Sequence, residues 1–387
     1  MSSSDSARAT PETVLHANAG RGDVMKKQYI DSAQGIAIIS IVFGTVLGRI
    51  NDAGFLQDGR VAHLLVLLQY IASAFGYPCL FFVFGLKAVD SLRRVNSRLS
   101  FVKMTLCALV YPYLLWSILQ MGLHWFVAQQ ANRAFPLAEF GRIAWAPVDQ
   151  LWFLYALCIC QLVAFLTVWR ASRAPHGMLY GVGRALLAVF AVVCATLATR
   201  TDWDIVTMTL WGLTFFLAGM LVQPRLGVWM ERAGRVPVVI AAVVVFALAS
   251  RIGQSFGGYL NACTLPASFA GIVAAVLMGQ LLTRRWRVRW LTTLGAAWMP
   301  IYLLHVLVTG LVWDGLLAAY VTSPVAQLLL GLVAGIVIPL AVYRLTKRLR
   351  IAGPAGFDLV DLAQRTEARQ VESAHYRAQI GIDQPHG

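Results

Sequence analysis

The sequence predicts an all-α, polytopic membrane protein of about ten transmembrane helices with both termini in the cytoplasm. Three observations predict it. Apolar residues make up 58% of the 387, and Asp, Glu, Lys and Arg together only 13%. Soluble domains average about 45–50% and about 25%, and a surface so poor in charge would not keep a soluble chain of this length dispersed. Apolar stretches of roughly 20 residues, the length that crosses the hydrocarbon, recur along the chain. Basic residues cluster in alternate connections between them, as in cytoplasmic loops.

The elements follow in order. Residues 1–28 are polar, hold no apolar core of signal-peptide length, and read as a short disordered cytoplasmic tail. The spans fall near 29–50, 61–86, 104–127, 148–169, 178–199, 203–223, 236–252, 262–283, 290–313 and 322–346. The span from Val236 is short, and the turn between the fifth and sixth is tight. The membrane domain therefore covers 29–350, and 351–387 reads as a polar cytoplasmic tail. Three GxxxG steps (Gly44–Gly48, Gly253–Gly257, Gly331–Gly335) permit close backbone approach, first of all within the bundle.

Charge sets the orientation. Of the 32 Lys and Arg, all but Arg49, Arg60, Arg133, Arg142, Arg200 and Arg251 fall at one end of the spans. The positive-inside rule puts that end in the cytoplasm. The net charge of +14 has its explanation there, so no nucleic-acid partner is expected. Six cysteines form neither a CxxC pair nor a zinc spacing and read as small buried hydrophobes. No metal is expected.

Polar groups inside apolar spans are costly and therefore informative. Asp31 sits at the cytoplasmic boundary of the first span, where a carboxylate also suits a helix N-terminus. Gln34 and Thr45 are eleven residues apart, share a helix face and differ in depth by roughly 16 Å. That face either lines a passage or makes helix–helix hydrogen bonds. Pro78 and Gly85 suggest a kinked or broken second span, and Pro112 kinks the third. Trp152 and Tyr155 open the fourth span, as interface anchors or as sugar contacts. Among the histidines, His63, His124 and His305 lie in or at the ends of spans, in the outer half. His305 is about 22 Å from the start of its span, at a depth comparable to Thr45. No P-loop, GxSxG or HExxH is present.

These segments together resemble the integral-membrane acyltransferase-3 family, which includes bacterial polysaccharide O-acetyltransferases. The resemblance rests on Tyr29-Ile-Asp31-Ser-Ala-Gln34-Gly35, Phe81-Phe82-Val-Phe84-Gly85, Tyr111-Pro112-Tyr113-Leu-Leu-Trp116, Leu151-Trp152-Phe153-Leu-Tyr155, and Leu294-Gly295 through Tyr302-Leu-Leu-His305. They occur in the family's order and spread over nearly the whole membrane part. The resemblance implies about ten helices, an acyl-CoA donor on the cytoplasmic side and a hydroxyl acceptor, usually a sugar. Members commonly carry a basic residue and a histidine separated by ten residues in the first span. Here those positions hold Gln34 and Thr45. Acyl transfer needs a base for the hydroxyl proton, and imidazole suits it near neutral pH. Either another histidine serves, His305 first, or the mechanism differs, or the chain is not catalytic alone. Some relatives append a soluble transferase domain; the stretch after Ile351 is too short for one, so such a helper would be a separate chain.

The expectation is an enzyme of the bacterial inner membrane that moves an acyl group, acetyl first, from cytoplasmic acyl-CoA to a hydroxyl of an exopolysaccharide such as cellulose, or of its lipid-linked precursor. His305, Thr45 and Gln34 are the catalytic candidates, and Trp152, Tyr155 and Tyr302 the acceptor contacts. Arg93, Arg94, Arg98 and Lys103 would attract the coenzyme A phosphates, or serve only as positive-inside charge. The alternatives are a transporter or flippase of a sugar or lipid-linked sugar, and a non-catalytic subunit of a polysaccharide synthase complex.

Overall fold

The computed structural model describes residues 11–54, 59–94, 97–130, 137–168, 178–201, 203–233, 235–286 and 288–358. Its helices are α1 (Pro11–Asp52), α2 (Arg60–Arg94), α3 (Arg98–Thr105), α4 (Tyr111–Gln130), α5 (Trp152–Val168), α6 (Met178–Ala198), α7 (Asp204–Ala233), α8 (Val236–Gln254), α9 (Leu265–Arg285), α10 (Arg289–Ala296), α11 (Trp298–Ala318) and α12 (Pro324–Arg348). Among the described residues there are no strands. Nine helical stretches among them are long and apolar enough to cross a membrane; a tenth, Gly183–Ala198 within α6, is apolar but shorter. These match the ten expected spans in position, and the protein is a multi-pass membrane protein.

The helix starts follow from sequence. Proline opens α8, α9 and α12 within the first two positions, where its missing N–H costs no intrahelical bond. Asn261 caps the turn before α9 by accepting from the Thr264 N–H at 3.0 Å. α1 begins at Pro11, inside the stretch expected to be a disordered tail. Once the span is helical, adding further residues at its end is cheap.

α1 is the axis of the bundle and packs against α2, α9, α10, α11 and α12. Small residues make this possible. A Cβ on Gly295 would fall on the Asp31 carbonyl, and one on Gly35 on the Leu291 carbonyl. Gly44 and Gly48 face Ala72 and Gln69 of α2, and Gly331 and Gly335 face Val46 and Val42 of α1. Two of the GxxxG steps therefore serve packing within the bundle. In the third, Gly253 packs on Tyr70, while Gly257 turns the chain at φ +77°.

Three local expectations are corrected or refined. α2 runs unbroken through Pro78 and Gly85; Gly85 is there because Phe216 of α7 leaves no room for a side chain, and Gly219 meets Phe82 in the same way. Before Pro112 the chain makes one π-turn, Leu106–Val110, closed by the Tyr111 N–H on the Leu106 carbonyl, since proline has no N–H to give. The ninth span is two helices. α10 and α11 meet at Ala297 (φ −93°, ψ 24°), three residues before Pro300, which cannot donate to the Ala296 carbonyl.

After α12 the chain does not simply leave as a polar tail. Residues 351–358 lie against α4: the Tyr111 hydroxyl donates to the Pro354 carbonyl at 2.7 Å, and Trp116 Nε1 to the Ala355 carbonyl at 3.1 Å. Phe357 is buried and stacks on Trp116. Residues 359–387 lie outside the described residues.

Candidate functional site

Two polar clusters lie along α1, and each is completed by another helix. Toward the end that carries the basic connections, Lys87 of α2 reaches α1. Its Nζ is 2.9 Å from Asp31 Oδ1 and 2.6 Å from Gln34 Oε1. The Lys87 side chain is 38% exposed and that of Asp31 14%, so the ion pair keeps a path to solvent. Gln34 is fully buried, and its Nε2 finds no acceptor among the described residues. A buried, unpaired amide costs about 1–3 kcal/mol. It offers two donors beside a cation.

Eleven residues along α1, Thr45 meets His305 of α11. Thr45 Oγ1 and His305 Nε2 are 3.3 Å apart. The other ring nitrogen, Nδ1, lies 2.7 Å from the Tyr302 carbonyl and 3.2 Å from that of Ile301. Carbonyls only accept, so Nδ1 carries the proton and Nε2 presents its lone pair to Thr45. The Thr45 hydroxyl has one proton, shared between Nε2 and the Ile41 carbonyl at 3.0 Å. His305 is fully buried, whereas Thr45 is half-buried. The hydroxyl is thus the accessible end of the pair. One turn further, Arg49 donates to the Val306 carbonyl at 3.3 Å. It has no ion pair among the described residues, and its guanidinium stands over Gly310, where a side chain would crowd it.

The aromatic candidates sit between these levels. Trp152 is half-buried, with ring centroids 4.8 Å from Tyr77 and 6.3 Å from Phe81. Tyr302 is fully buried and donates its hydroxyl to the Gln150 carbonyl, which ties the start of α5 to α11. Tyr155 packs edge-on to Tyr113, with its hydroxyl 3.4 Å from the Ala144 carbonyl. Phe153 links Phe81, Trp298 and Tyr302. His124 faces Asp149 at 3.5 Å. Of the basic candidates, Lys103 is exposed; Arg93, Arg94 and Arg98 are in helices, and their side chains lie outside the described residues.

The arrangement therefore pairs Gln34 with Lys87, and Thr45 with His305 one turn from Arg49; Lys87 and Arg49 are residues that sequence reasoning did not select. In sequence Lys87 reads as one more basic residue at the cytoplasmic end of the second span. Arg49 had a signal: it is one of the few basic residues at the other end.

The acyltransferase-3 family model, described as an acyltransferase domain, matches residues 27–344. The chain belongs to this family. It is a membrane acyltransferase, and the match spans both clusters on α1. No curated protein and no solved structure matches the chain. In the resemblance described above, the family's first span carries a base and a histidine at the positions of Gln34 and Thr45. In this acyltransferase an ammonium from α2 lies on Gln34 and an imidazole from α11 on Thr45.

Proposed function

We propose that this membrane acyltransferase moves an acyl group, acetyl first, from cytoplasmic acyl-CoA to a hydroxyl of an exopolysaccharide such as cellulose or of its lipid-linked precursor, in the bacterial inner membrane. The observation that carries the reading is the Thr45–His305 contact inside a chain of this family. His305 Nε2 is an available base, held in one tautomer by backbone carbonyls. The Thr45 hydroxyl passes the acceptor's proton to it, because the imidazole itself is fully buried. Arg49, with its charge uncompensated among the described residues, would stabilise the oxyanion that develops on the thioester carbonyl oxygen before the coenzyme A thiolate leaves.

The donor enters from the end that carries the basic connections, which the positive-inside rule assigns to the cytoplasm. Arg93, Arg94, Arg98 and Lys103 attract its phosphates. The Lys87 ammonium and the unpaired Gln34 amide suit the carbonyl groups of its pantetheine arm. Gln34 and Thr45 are separated by roughly 16 Å along the helix, a distance such an extended arm can span. Trp152, Tyr155 and Tyr302 would shape the passage at the acceptor's side. A polysaccharide synthase complex is the proposed partner, and membrane lipid the surrounding.

The test incubates membranes with radiolabelled acetyl-CoA and follows label into polymer or lipid-linked sugar. Wild type transfers label and His305→Ala does not, at equal protein level. Equal transfer by both removes His305 from the mechanism. A protein that moves sugar across vesicles without consuming acetyl-CoA is a transporter.

A further inference from the structure

A second polar site lies at the end of the bundle opposite the basic connections, between α2 and α8. It is a cavity of about 690 Å³, lined by Arg60, His63, Arg251, Gln254, Ser255 and Tyr259 among others. Its size falls within the range of small-ligand pockets, about 300–1,000 Å³.

The charge in it is unusual on three counts. Few basic residues stand at this end, and two of them face one cavity. Arg60 is the first residue of α2, whose first turn holds no acidic residue. The positive end of a helix dipole disfavours a cation there. Neither arginine has an ion pair among the described residues, and two guanidinium groups and a histidine share one space with no carboxylate among its described lining residues. Like charges held together are costly unless an anion joins them.

The rest of the lining suits a sugar. The Gln254 side chain makes no hydrogen bond among the described residues, and Tyr259 offers a 40% exposed ring. Gly257 and Gly258, both at positive φ, fold the loop that carries Tyr259 over the cavity. On the inner side Gln69 accepts from Asn51 of α1, two residues after Arg49. Through Gln69 the α2 wall of the cavity is therefore joined to α1 near Arg49.

We propose that this cavity is an acceptor subsite for an anionic glycan. Arg60 and Arg251 clamp a carboxylate or phosphate, and Gln254 and Tyr259 contact the attached sugar. The anion is either a charged sugar of the glycan or the phosphate that links it to a lipid carrier. This inference rests on the acyltransferase reading and narrows its acceptor from a neutral polymer such as cellulose to an anionic or phosphate-linked glycan; it is tested by binding, so the two fail separately.

The experiment uses the full chain in phosphatidylcholine nanodiscs with three probes: tetragalacturonate, polyprenyl-phosphate glucose and neutral cellotetraose. At least one anionic probe binds, more weakly as salt rises, and cellotetraose does not compete. Arg60→Gln and Arg251→Gln each weaken binding about tenfold, the loss of one charge-assisted hydrogen bond, with an unchanged melting temperature; Arg251→Lys retains part of it. Binding of tetragalacturonate alone assigns the charge to the glycan, and binding of the polyprenyl phosphate alone assigns it to the linkage. The proposal is overturned if neither anionic probe binds, if cellotetraose binds equally, if the arginine variants bind like wild type, or if only phosphatidylglycerol added to the nanodisc responds to them. The last result would make the arginines lipid-headgroup anchors.

Discussion

His305 and Thr45, 260 residues apart in sequence, meet at 3.3 Å between α11 and α1. The imidazole thus lies against the α1 position that Thr45 occupies. Its proton sits on the side of the backbone carbonyls of Ile301 and Tyr302, which leaves the basic nitrogen for the hydroxyl. The pair makes separable predictions.

His305→Ala removes the base and should lower acyl transfer by about 10²–10⁴-fold, the usual contribution of a general base. Thr45→Val keeps the shape and loses the hydroxyl; it should fall between wild type and His305→Ala, and Thr45→Ser should stay near wild type. The combined Thr45→His, His305→Ala variant moves the imidazole onto α1 and should regain activity over His305→Ala alone. Labelled acetyl-CoA transfer at matched protein level measures all four. No regain, with a folded protein, would mean that the position of the imidazole on α11 matters for more than its base.

Lys87 is read at the donor end. Lys87→Met should raise the acyl-CoA KM more than it lowers kcat, since the ammonium lies well along α1 from Thr45. It also leaves Asp31 without its cation. Asp31→Asn in the same chain should then recover stability but not the KM. An unchanged KM in Lys87→Met would remove the residue from donor binding.

Glycine packing gives a stability test. Gly295→Ala places a methyl on the Asp31 carbonyl, and Gly85→Ala places one on Phe216. Backbone cannot move aside as a side chain can, so overpacking should cost about 1–3 kcal/mol in each. Gly122, in α4, meets nothing within 4 Å, and Gly122→Ala should be neutral or stabilising through helix propensity, by up to about 1 kcal/mol. Thermal unfolding in detergent separates the three.

Much of the architecture was legible. Composition, span length and basic clustering located the nine stretches long enough to cross and the shorter tenth, because lipid imposes those constraints on each segment by itself. His305 was legible because an imidazole inside an apolar span is costly. Lys87 was not, since nothing local says that a residue of the second span reaches back to Gln34. Arg49 was visible only as an exception to the charge pattern. The break at Ala297 had its cause three residues on, at Pro300, inside a stretch whose hydropathy reads straight through. Residues 351–358 looked like the start of a tail, although Ile351 and Phe357 are poor residues for one. What placed them was Tyr111 and Trp116, on a helix more than two hundred residues away.

The orientation can be read from a native thiol. Cys263 is exposed in the short turn before α9, at the end opposite the basic connections. If that end faces outward, a membrane-impermeant maleimide should label Cys263 in intact cells, and Cys263→Ser should abolish the signal. Cys79, Cys160 and Cys194 are buried among helices and should not react without denaturation. Ser97→Cys, on the exposed cap of α3, made in a chain with the exposed Cys107 and Cys263 changed to Ser, supplies the opposite control: it should react only after the cells are opened. Labelling of Ser97→Cys in intact cells, with Cys263 protected in the native chain, would invert the protein. The acyl donor would then have to enter beside Arg251 rather than beside Lys87.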